Sequence, residues 1–144
     1  MSLQVQRREV EGIALLSLAG RLVLGDETAT LRDTLAALIA DAITRVILDL
    51  KALTFIDSTG LGILVAAHTI FEKAGGGLRL LHLTQRHIQL LVLTKLTAIF
   101  RVFDDEQGAI DSFFPDRRLR SFDILEFVRS QAKETQPEKA PGVD

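Results

Sequence analysis

Apolar and polar positions alternate loosely from Leu3 to Val10, the pattern of an edge strand, and Glu11-Gly12 then offers a tight turn. Ile13-Ala14-Leu15-Leu16-Ser17-Leu18 is more apolar than alternating and predicts a second strand. So short a connection makes the two antiparallel. Gly20 to Gly25 reads as a loop or a short extended piece. Leu31, Leu35, Leu38 and Ile39 then recur at helical spacing, which predicts a helix capped by Asp26 or Thr28 and running to about Ala42. Val46 to Leu50 is a near-continuous apolar run, as expected of a strand in the middle of a helix-covered sheet. A helical stretch from Leu61 to Lys73 places Leu61, Leu64, Val65, His68 and Phe71 on one face, and Gly75-Gly76-Gly77 ends it. Leu78 to Leu83 predicts another strand. Thr84 then caps a helix from Gln85 to about Lys95, with Ile88, Leu91 and Val92 as its buried stripe. Phe100 to Phe103 is a short strand, and Asp104-Asp105-Glu106 forms the acidic first turn of a helix reaching Phe113 or Phe114. The order β-β-α-β-α-β-α-β-α predicts an α/β domain with a mixed sheet of about five strands. Strands separated by helices are expected to be parallel, with right-handed crossovers.

Pro115 changes the character of the chain. Asp116-Arg117-Arg118 is a charged connector, and Ser121 caps a short helix carrying Phe122, Ile124, Leu125, Phe127 and Val128. Those apolar groups cover too much of a helix circumference for a solvated appendage, so they read as packing on the same domain or against a partner. Residues 133–144 are polar with two prolines and read as a disordered tail. The expected organisation is a domain over 1–114, a helical extension over 115–132 and that tail.

Composition narrows the function classes. A chain of 144 residues, 47% hydrophobic and 25% charged, is one globular domain long enough for a core. A net charge of −2 argues against nucleic-acid binding, which needs a clustered positive excess. Without cysteine there is neither a disulfide framework nor a thiolate metal site, which fits a reducing cytosol. The N-terminal residues carry no signal-peptide pattern, and no stretch reaches the roughly 20 apolar residues of a membrane span. The expectation is a cytoplasmic protein without cofactor, metal, nucleic acid or membrane, and either a monomer or a homodimer.

The most informative chemistry sits where the central strand leads into the second helix, at Phe55-Ile56-Asp57-Ser58-Thr59-Gly60-Leu61-Gly62. A carboxylate, two hydroxyls and a glycine meet there, with Ser58 in the first turn of the helix. That position has unpaired N–H groups and the positive end of the helix dipole, both favourable for an added phosphate. On local spacing alone Asp57 and Ser58 are an ordinary helix cap. Competing sites are weaker. No Lys-Ser/Thr follows Gly75-Gly76-Gly77, and a strand comes after it where a phosphate cradle needs a helix. His68, His82 and His87 lack metal-ligand spacing, and Ser58 lacks the Gly-x-Ser-x-Gly elbow of a hydrolase. Arg117, Arg118 and Arg120 could mark a docking face but read better as a solvated connector.

With the order of elements and Asp57-Ser58-Thr59-Gly60 both in hand, the chain resembles the STAS domains, in particular the bacterial anti-sigma-factor antagonists. The resemblance runs from about Leu3 to Phe114. It rests on the early Gly20-Arg21-Leu22, the strand Val46 to Leu50, the motif through Gly62, and Leu96-Thr97-Ala98-Ile99-Phe100 before Phe103. It implies that the domain is a substrate and binding partner, not an enzyme. An anti-sigma-factor serine kinase would phosphorylate Ser58, with Thr59 as second candidate acceptor, and a PP2C-type serine phosphatase would reverse it. The implied contact surface is Asp57, Ser58, Thr59, Gly60, Leu61 and Gly62, with Asp26 standing for the acidic residue that members often carry soon after the early Gly-x-Leu. Gly60 and Gly62 are expected to leave backbone exposed for a kinase cleft. The other roles implied are subunits of stress-signalling or lipid-trafficking assemblies, without a phosphorylation switch.

Overall fold

The computed structural model describes residues 3–117. Strand β1 (Gln4–Val10) turns through Glu11 and Gly12 into β2 (Ile13–Leu22). Both turn residues have positive φ, 53° and 80°, the geometry that joins antiparallel strands most tightly. Helix α1 (Asp26–Ala40), strand β3 (Arg45–Ile56), helix α2 (Ser58–Lys73) and strand β4 (Gly77–Leu81) follow. Helix α3 (Gln85–Leu93), strand β5 (Arg101–Phe103) and helix α4 (Glu106–Asp111) complete the described elements. The sheet order is β1-β2-β3-β4-β5, antiparallel at the first pair and parallel at the other three, as the element order predicts.

Because side chains alternate across a strand, the sheet has two distinct faces. Leu16, Leu18, Val46, Leu48, Leu50, Leu78 and Leu80 join Leu31, Leu35 and Leu38 of α1, Leu61, Leu64 and Phe71 of α2 and Leu91 of α3 in the main core. The intervening β4 residue, Arg79, is buried on the other side, where Nε donates to Ser112 Oγ at 2.9 Å. Its guanidinium lies 4.1 Å from the centroid of the Phe113 ring. This stacked and hydrogen-bonded arginine fastens the chain after α4 to the sheet.

Four predicted features differ. Strand β3 runs seven residues beyond Val46–Leu50, counting Arg45 and 51–56, because its second half pairs only with β2 across two register shifts. Paired on one side, Lys51, Thr54 and Phe55 are exposed and break the apolar run that marks a central strand. Helix α1 is capped by Gly25, not Asp26 or Thr28; Thr28 instead bonds back from the first turn, accepting from the Gly25 N–H and donating to its carbonyl. In α3 only Leu91 of the expected stripe is buried, Ile88 and Val92 being 47% and 58% exposed. His87 takes the buried place, and Ile39 of α1 also faces outward.

Contacts divide the chain into Met1–Phe113 and Phe114–Asp144. Of the second unit only 114–117 are described, with Arg117 4.4 Å from the Phe114 ring centroid. The remainder of the helical extension expected over 115–132, the tail expected over 133–144, and Arg118 and Arg120 lie outside the described residues. Among the described residues no helix is long and apolar enough to cross a membrane.

Candidate functional site

Parallel strands β2 and β3 end side by side, with Leu22 paired to Ile56, so the β2–α1 and β3–α2 connections meet at the carboxyl edge of the sheet. Open α/β sheets place their sites at such edges. Asp57 joins the two connections. It is the N-cap of α2, and its Oδ1 accepts from the Gly60 N–H at 2.8 Å. Oδ2 accepts from the Leu24 N–H of the other connection at 2.9 Å. The Asp57 N–H itself donates to the Leu22 carbonyl at 3.2 Å. Hydrogen bonds from Gly60 and then Leu24 hold the Asp57 carboxyl below the usual carboxylate range, so it is ionised at neutral pH. A fixed negative charge therefore sits beside the hydroxyls.

Ser58 is the first residue of α2 and is exposed, and among the described residues its hydroxyl has no hydrogen-bond partner. Thr59 is half-buried, and Leu61 is buried in the core. Gly60 is buried too, which corrects the expectation that it leaves backbone open to a kinase. A Cβ there would lie 2.4 Å from the Leu22 carbonyl oxygen and 2.8 Å from Leu22 Cγ, so the missing side chain lets the α2 terminus sit against β2. Gly62 behaves oppositely: it is exposed, and a Cβ would meet nothing within 4 Å. Asp26 is exposed at the start of α1, and its carboxylate makes none of the bonds that tie this loop to the motif.

A family model of the STAS domain matches residues 4–109. The chain belongs to the STAS domain family. Among curated relatives of this STAS domain, an anti-sigma F factor antagonist of Paenibacillus polymyxa is 27% identical over 76% of this chain and 94% of its own length. An anti-sigma-B factor antagonist of Bacillus subtilis (strain 168) is 36% identical over 61 residues, 42% of this chain and 56% of that protein. Two solved structures share the fold. An anti-sigma factor antagonist from Mycobacterium paratuberculosis superposes with a TM-score of 0.67 at 24% identity, over 78% of this chain and 94% of that one. The Bacillus cell-fate determinant SpoIIAA in its phosphorylated form gives 0.61 at 21% identity, over 76% of this chain and 98% of that one.

The three histidines of the STAS domain do not converge. His68 lies edge-on to Phe100 with ring centroids 5.7 Å apart, and His82 Nδ1 is 3.1 Å from Asp49 Oδ1. His87 Nδ1 accepts from the Thr84 N–H at 3.1 Å, so Nε2 must carry the proton in the neutral ring and donates to the Leu53 carbonyl at 2.8 Å. Among the described residues no three His, Cys, Asp or Glu side chains group as metal ligands. The tie that sequence reasoning missed is Leu24 to Asp57, a backbone contact between residues 33 apart. Its sequence signal is slight: an aspartate cap with one oxygen to spare, and a leucine preceding Gly25.

Proposed function

We propose that this STAS domain is an anti-sigma-factor antagonist that binds an anti-sigma-factor serine kinase in the cytoplasm and is released when that kinase phosphorylates Ser58. A PP2C-type serine phosphatase restores the binding form. The observation that carries the reading is the exposed, unbonded Ser58 hydroxyl beside an Asp57 carboxylate held ionised by two backbone donors. The names of the curated relatives support the partner class.

The chemistry follows from charge. A phosphoryl group adds about −1.5 to −2 at neutral pH. The Gly60 N–H, one of the donors a helix terminus offers an anion, is already taken by Asp57. The phosphate therefore meets a neighbouring carboxylate with fewer local donors than a bare helix end provides. Inside a water-excluding interface that repulsion weakens binding, and no change of fold is required.

The test is intact-mass measurement after incubation with the host's anti-sigma-factor serine kinase and ATP. The wild type gains one phosphate and Ser58→Ala gains none. Full phosphorylation of Ser58→Ala would move the acceptor elsewhere, to Thr59 first. A wild type that gains nothing would replace the switch with an unswitched subunit role in a larger assembly.

A further inference from the structure

The β2–α1 connection holds an apolar side chain out into solvent at the edge of the Ser58 site. Leu22 is fully buried, but Leu24, two residues on, is 72% exposed. A scattered exposed leucine needs no explanation. This one is clamped. Its N–H is bound by Asp57 Oδ2 at 2.9 Å. The next residue, Gly25, has φ 126° and ψ −144°, a conformation that L side chains rarely adopt. Gly25 is itself bonded in both directions to the buried Thr28. The peptide before Leu24 and the residue after it are thus fixed without any partner.

A loop ordered in advance loses little further entropy when it is covered, so more of the burial energy of its side chain appears as affinity. Phe55, an exposed apolar group within the motif, already has the Arg21 guanidinium 5.4 Å from its ring centroid. The two oxygens of one carboxylate, Asp57, bind the Leu24 N–H and the Gly60 N–H, which puts the Leu24 backbone beside the turn of α2 that carries Ser58.

We propose that Leu24 is a specificity-determining contact of the Ser58 surface, seated in an apolar pocket of the kinase that modifies Ser58. The proposal rests on the reading of Ser58 as phosphoacceptor. It assigns the loop's contact to an apolar residue, where the resemblance implied the acidic Asp26.

Steady-state phosphorylation by the kinase that labels the wild type, with Leu24→Ala, Leu24→Asp and Leu24→Met as substrates, tests it. Losing a buried leucine raises KM roughly tenfold or more for Leu24→Ala. Leu24→Asp is worse still, kcat is unchanged for both, and Leu24→Met stays within about twofold of wild type. The melting temperatures stay within about 2 °C, because the side chain is exposed. A phosphorylated wild type with the same KM in Leu24→Asp overturns the contact and leaves Ser58 standing. Leu24→Met as poor as Leu24→Asp overturns it too, since an apolar pocket accepts methionine. A wild type that is not phosphorylated overturns the reading of Ser58, and this inference with it.

Discussion

At Gly60 and Gly62, two glycines one residue apart, the absence of a side chain has opposite physical meanings. At Gly60 a methyl group would press against the Leu22 carbonyl, where backbone cannot yield cheaply. Gly60→Ala is therefore expected to destabilise the fold by about 1–3 kcal/mol. At Gly62 the space is open and the backbone is already helical, so Gly62→Ala is expected to stabilise it by about 0.5–1 kcal/mol. Urea titrations of the two variants check the signs, and two changes of the same sign would refute the distinction. Gly62→Ala should also be the poorer kinase substrate despite its greater stability, because it fills the exposed flank of α2 close to Ser58. The motif was legible as a cap and a candidate acceptor from residue types alone. That one glycine faces Leu22 and the other solvent was not, since it depends on how closely the α2 terminus approaches a strand about 40 positions earlier.

Among the elements, α3 is the most instructive. The Thr84 cap was readable because a threonine before an apolar-periodic run is a local signal. Its partner was not: His87 closes the cap reciprocally, accepting from the Thr84 N–H while donating to Leu53, a residue of β3. That contact draws the polar His87 inward and leaves Ile88 and Val92 outside, against the apolar pattern. Burial, more than any other cause, pushes the His87 pKa below its usual value. The unfolded chain therefore binds the proton before the folded one does. This contribution to stability is full above pH about 6.5 and is lost as pH falls from there through the lower, folded value. The urea midpoint is expected to drop between pH 7.5 and 5.5, and His87→Gln should shrink the drop. Glutamine at that position can close a capping box without titrating. An identical pH dependence in wild type and His87→Gln would contradict the assignment. Strand β3 follows the same logic. Its first half was visible as an apolar run, while its second half, ladder-bonded to β2 alone, carries the mixed pattern of a partly exposed edge.

For the whole molecule, the alternation of strand and helix specified a mixed five-stranded sheet before any contact was known, because crossover handedness leaves few alternatives. The sheet matters to function chiefly by ending β2 and β3 together, so that one carboxylate can bind both connections. The proposed acceptor hydroxyl stands on a rigid edge, which suits a switch that works by charge: the fold stays constant while a surface that already carries the Asp57 carboxylate becomes more negative. The central claim is that phosphate on Ser58 alone dissociates the partner. The most direct test is calorimetric titration of the purified anti-sigma-factor kinase with the unmodified chain and with the chain phosphorylated at Ser58. The account predicts measurable binding of the first and affinity at least roughly hundredfold weaker for the second, with unchanged circular dichroism. Equal affinity of the two forms would contradict it.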